Sequence, residues 1–173
     1  MHPRASLRAA TARARAWWWL RPGRAIILDT ETTDFDGEII EITIVDAATG
    51  AVILDSLVRP DGQICPDAAK VHGITHDMCA TAPTWTQLWP QVEPILSSHL
   101  VLAYNAPYDH GRITAACQRH HLPVPRARWR CIMRLDAAAR NGRWRKLDAG
   151  HRACADTLAA RDVLCQIAEG SRS

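Results

Sequence analysis

No stretch of this chain is both long and apolar enough to cross a bilayer. The longest runs, Ala25 to Leu28 and Leu100 to Tyr104, fall far short of the roughly 20 residues a spanning helix needs. Trp17-Trp18-Trp19-Leu20 follows basic residues, but it lacks the length and small-residue cleavage site of a signal peptide. The expectation is a cytoplasmic protein that makes no membrane contact. Cysteine pairs are missing too: six cysteines are scattered along the chain with no CxxC, which argues for reduced core thiols over a disulfide framework. Cys117, His120, His121 and Cys131 match no common zinc spacing. Internal repeats, low-complexity tracts and interdomain linkers are also lacking, so 173 residues fit one domain with a sizeable core.

Two further absences concern charge. Residues 1–24 contain six arginines and no acid, and residues 28–67 contain ten acids with Arg59 as their one base. Residues 112–152 reverse the balance, with ten arginines and Lys146 against Asp136 and Asp148. A net charge of +3 conceals this segregation. An acidic region beside a basic one suits a site that gathers cations next to a surface that holds a polyanion. Solvated helix faces would have the same composition.

Periodicity then supplies an outline. Residues 1–22 form a basic arm or helix stopped at Pro22-Gly23, and residues 23–173 form the main domain. Ala25–Leu28 reads as a strand buried on both faces. Glu38–Asp46 and Ala51–Val58 form a hairpin with Gly50 in its turn. Helix is expected over Ala68–Val71, over Thr84–Ser98 with interruptions at Pro90 and Pro94, and over Tyr108–His120. A strand at Leu100–Tyr104 and a short one near Arg130–Ile132 complete the sheet. A last helix over Arg152–Glu169 has Leu158, Val163, Leu164 and Ile167 as its apolar positions. The fold class is α/β, a mixed central sheet with flanking helices.

The chemistry begins at Asp29 and Glu31. Residues two apart on a strand share a face, so both carboxylates converge where the first apolar strand ends. Such a pair needs a cation or a shared proton unless water solvates it. Hard oxygen donors favour Mg²⁺ or Mn²⁺ over zinc. In Tyr104-Asn105-Ala106-Pro107-Tyr108-Asp109, Pro107 suits a helix start and places Asp109 in the first turn. The helix dipole alone would also favour an acid there. His151 and Asp156 would lie about 140° apart on one helix. They converge only if His151 belongs to the preceding loop, which Gly150 permits.

The order of these elements resembles the DEDDh exonuclease family, the epsilon-like branch of DNA polymerase III most of all. Ile27-Leu28-Asp29-Thr30-Glu31-Thr32-Thr33 is similar to its first motif, and Val71-His72-Gly73-Ile74-Thr75 to the segment before its second. The resemblance covers roughly residues 25–169. It implies an RNase H-like fold and a 3′→5′ exonuclease that releases nucleoside 5′-monophosphates. Two divalent cations, Mg²⁺ or Mn²⁺, would be held by Asp29, Glu31, Asp109 and Asp156. His151 would be the general base, a role that suits a side chain with an ordinary pKa of about 6.5. Thr32, Phe35, His72 and Asp67 match positions that line the terminal-nucleotide pocket, with Phe35 stacking on a base. His72 also reads as a structural histidine in a turn, and Asp67 as a helix N-terminal acid. The implied partners are 3′ ends of DNA, with short RNA and a DNA polymerase as further candidates.

Three features depart from the family. Asp34 stands where relatives usually have Gly, and Tyr108 where they have Phe. Trp144-Arg145-Lys146-Leu147-Asp148-Ala149-Gly150 runs into His151 as though about a dozen residues were missing, and catalytic geometry matters to within about an ångström. A module that binds nucleic acid or a polymerase without turnover is therefore the alternative. An endonuclease of ribonuclease H type is a third reading, opposed by the Asp-x-Glu pair and the His-x4-Asp element.

Overall fold

The computed structural model describes residues 3–140, 142–143, 145–147 and 150–170. Its centre is Ala25–Thr32 (β1), where Ile26, Ile27 and Leu28 are fully buried because helices cover both faces of the strand. Ile39–Asp46 (β2) and Val52–Leu57 (β3) add antiparallel strands on one side, and Gly50 at φ 78° closes the hairpin. Leu100–Ala103 (β4) and Arg128–Cys131 (β5) add parallel strands on the other. The order is β3-β2-β1-β4-β5.

Strand alternation divides the helices between two layers. Ala25 and Ile27 face Pro3–Trp19 (α1), Ile132–Ala139 (α6) and Ala153–Glu169 (α7), through Trp19, Ile132, Leu135, Leu164 and Ile167. Ile26 and Leu28 face Trp85–Ser98 (α4) and Ala106–Arg119 (α5), through Leu88, Val92, Leu96 and Ile113. Two short helices, Pro66–His72 (α2) and His76–Cys79 (α3), cap the end of β2 over Ile40, Ile74 and Cys79. None of the described helices is long and apolar enough to cross a membrane.

Three local expectations require correction. α4 is continuous through Pro90 and Pro94, because both prolines are exposed on its outer face and water can solvate the carbonyls they leave unpaired. A Thr84–Gln87 capping box secures its start. Leu158 is exposed, whereas Ala153, Thr157, Ala160, Leu164 and Ile167 recur at helical spacing on the buried face of α7. β5 ends at Cys131, so Ile132, expected in the strand, instead opens α6, a helix not expected from the sequence. Cys117 is a free thiol in the α4–α5 core, the setting expected of it.

α1 is docked rather than free. Ala12, Ala16 and Trp19 belong to the α6–α7 core, and Arg13 Nε donates to the Ala168 carbonyl at 2.9 Å. Trp17 and Trp18 remain exposed, with the guanidinium groups of Arg21 and Arg24 over their rings at 5.1 and 4.4 Å.

Candidate active site

Asp29 and Glu31 follow Ala25 and Ile27 on the α7 face of β1, so the strand's own alternation delivers both carboxylates to one side. The pairing register with β2 shifts between Glu31 and Thr32, at the end of the strand. α7 starts at Ala153, leaving His151 outside the helix at φ 52°. Asp156 therefore sits in the first turn, and carboxylate oxygens of Asp29, Glu31 and Asp156 come within 4.8 Å of one another.

Asp109 approaches from the opposite layer. It is buried in the first turn of α5, and its Oδ1 accepts a bond from the Thr30 hydroxyl at 3.0 Å. It stays outside the tight trio, yet its charge acts on Asp29 and Glu31.

The electrostatics follow from burial among like charges. Burial, then Asp109, Glu31 and Asp156, hold Asp29 well above the usual carboxylate range. Burial, then Asp156 and Glu41, push Glu31 up to about 7, with Arg152 opposing. Burial pushes Asp109 up to about 7 against the Thr30 hydroxyl, and raises Asp156 against the nearby His151. Asp156 Oδ1 is buried without a hydrogen-bond partner. A convergent set of hard oxygen donors, one of them orphaned, fits a divalent cation.

These shifts set a pH dependence. A carboxyl with a raised native pKa binds its proton more tightly when folded, so stability falls as pH rises through the interval between the two values. Without metal, Tm should fall between about pH 4 and pH 7 as Glu31 and Asp109 ionise. At neutral pH, Mg²⁺ or Mn²⁺ at a hundredfold excess over Kd should restore roughly 5–10 °C. Calorimetric scans with and without EDTA test this. A flat metal-free profile would remove the repulsion from the site's energetics.

Sequence reasoning missed Glu41. It lies opposite Glu31 on β2, buried, and its carboxylate accepts from Arg152 Nε at 3.0 and 3.1 Å and from Ala153 N at 2.8 Å. One acid thus caps the start of α7 and anchors the residue after His151. The signal was a charged residue between the isoleucines of a largely apolar strand. Arg152→Ala should cost about 3 kcal/mol, the low end for a broken buried pair because the arginine is partly solvated. Urea denaturation measures it, with exposed Arg126→Ala expected within about 0.5 kcal/mol of wild type.

The remaining sequence candidates separate. The Thr32 hydroxyl is 2.8 Å from Tyr108 Oη, and the exposed Phe35 ring lies 5.6 Å from the Tyr108 ring, forming an aromatic lip. His72 is buried with Nδ1 accepting from Ile74 N at 3.0 Å, and burial lowers its pKa. Asp67 is exposed and paired with Lys70 at 2.8 Å. Asp34 does not adopt a left-handed φ; its Oδ1 accepts from Phe35 N at 2.7 Å and its carbonyl from Gly37 N at 2.8 Å. In the shortened segment, Trp144, Asp148 and Ala149 lie outside the described residues. Its start is pinned where Tyr104 Oη donates to the Arg145 carbonyl at 2.8 Å and Arg145 Nε donates to Asp136 at 3.0 Å.

Comparison with known proteins bears on this geometry. The RNase T exonuclease family model matches residues 26–164. An uncharacterized exonuclease of Escherichia phage 186 is 41% identical over 106 residues, covering 60% of this chain and 54% of that protein. Exodeoxyribonuclease 10 of Escherichia coli K12 is 35% identical over 111 residues, covering 63% and 45%. The aligned part thus spans about half the length of these curated relatives. Among solved structures, exonuclease X in complex with 5′-overhanging duplex DNA superposes with a TM-score of 0.67 at 30% identity, covering 85% of this chain and 92% of that one. The mixed sheet and its flanking helices are the RNase H-like arrangement of such exonucleases.

Proposed function

The chain belongs to the exonuclease family, and from that premise we propose that it removes nucleotides from the 3′ end of DNA as 5′-monophosphates. The observation that carries the reading is the convergence of Asp29, Glu31 and Asp156 around the orphaned Asp156 oxygen, with His151 at the mouth of α7. Asp29, Glu31, Asp109 and Asp156 would hold two divalent cations, Mg²⁺ or Mn²⁺. When bound, these supply Lewis acidity and lower the pKa of water.

The chain's own residues do the rest. His151 accepts a proton from the attacking water at an imidazole nitrogen as the new P–O bond forms and the bond to the 3′ oxygen breaks. Phe35 and Tyr108 offer a ring face to the terminal base, and the Thr32 hydroxyl holds Tyr108 in place. His72 holds its own turn through the Ile74 amide.

The test is incubation with 3′-hydroxyl and 3′-phosphate oligonucleotides, DNA and RNA, in Mg²⁺ or Mn²⁺. Mononucleotides should appear from 3′-hydroxyl DNA. Binding without turnover in either metal would favour the non-catalytic module, and cutting of a circular substrate would overturn the exonuclease reading.

A further inference from the structure

Six of the ten arginines of residues 112–152 have a clear setting, four of them paired and two not. Arg112, Arg119, Arg145 and Arg152 are neutralised by Asp36, Glu38, Asp136 and Glu41. Arg130 and Arg134 instead face an open groove of about 730 Å³ between α1, α5, β5 and α6, together with Arg15. Among the described residues no carboxylate lines it, and all three arginines are exposed. Its aromatic lining is Trp129, whose ring lies 5.2 Å from that of His110, with Trp19 at the α1 side. α1 builds one wall: Trp19 anchors the helix in the core, and Arg15, one turn earlier, projects from it.

The groove shares the first turn of α5 with Asp109. Pro107 and His110, which line it, flank Asp109 in the first turn of α5; Asp109 points inward and His110 outward. Positive charge without counter-charge, interleaved with aromatic faces, is what a single strand of nucleic acid recognises. An acidic peptide would use the charges and leave the rings idle.

We infer that this groove carries the stretch of single strand that trails from the 3′ end, so that α1 is part of the substrate-binding surface. The inference rests on the exonuclease reading for the identity of the strand. It gives the basic arm a binding role separate from the acids.

The test is a charge-removing pair of surface substitutions, Arg15→Ser with Arg134→Ser, with circular dichroism checking the fold. Binding of a fluorescent single-stranded 12-mer is followed without divalent metal across salt concentrations, alongside hydrolysis of a dinucleotide in Mn²⁺. The variant should bind the 12-mer about tenfold more weakly at low salt, and its slope of log K against log salt should fall by about 1.4, two phosphates on a single strand. Dinucleotide hydrolysis should not change, because the inference gives the groove only the strand beyond the terminal nucleotides. If wild type degrades oligonucleotides while the variant keeps both affinity and slope, the groove inference is overturned and the exonuclease reading stands. If wild type degrades nothing but its 12-mer binding still depends on Arg15 and Arg134, the exonuclease reading fails and the groove stands. Loss of 12-mer binding to an acidic peptide competitor alone, with no salt-slope change in the variant, would also overturn it.

Discussion

Asp29→Ala is expected to lower kcat on a 3′-hydroxyl oligonucleotide by at least about 10³-fold while leaving the fold intact. Asp29 feels Asp109, Glu31 and Asp156 at once, so its carboxylate is the point where the two layers of acids meet. Cation catalysis is worth several kcal/mol, and each 1.36 kcal/mol is a factor of ten in rate. The same substitution removes a buried, repelled charge. Metal-free Tm at pH 7.5 should therefore hold steady or rise, and the Mg²⁺-induced increase in Tm should shrink. That opposition separates a lost ligand from a damaged fold. Asp29→Asn keeps the volume and should be about as inactive. Single-turnover kinetics paired with thermal scans give both readouts, and near-normal turnover by either variant would take Asp29 out of the reaction.

His151 carries the second large effect. Its loss should reduce kcat about 10²–10⁴-fold, the usual contribution of a positioned base, with little change in oligonucleotide affinity. The backbone complicates the choice of variant, because His151 sits at φ 52°, where asparagine is tolerated better than alanine. His151→Asn and His151→Ala should therefore lose equal activity, while His151→Asn stays the more stable of the two. The segment before it is tied down at Arg145 by Tyr104 and Asp136, and the residue after it by Glu41. A short tether held at both ends limits how far the imidazole can stray, which is why a large effect is expected despite the missing residues. Undiminished turnover in His151→Asn would assign the proton to another acceptor.

Much of the frame was legible along the chain. The continuous apolar run of β1, the Gly50 hairpin and the helical spacing of the last helix are local signals, set by the backbone and by which sides face the core. Pro90 and Pro94 misled because propensity penalises proline without asking whether its face is wet. α6 escaped because Ile132-Met-Arg-Leu-Asp is too short to distinguish a helix from a strand.

The acidic pair that opens the site shows where the two sources of information divide. By itself the sequence determined which donors exist, that Asp29 and Glu31 share a strand face, and that His151 must leave the helix to meet Asp156. Only the tertiary structure decided what holds them: Thr30 on Asp109 across 79 residues, and Glu41 on Arg152 across 111. It also decided that Asp67 points to solvent beside Lys70, and that α1 walls a basic groove. The physical reason is that strand and helix periods are local, whereas a buried charge finds its partner only once the sheet has brought distant segments together.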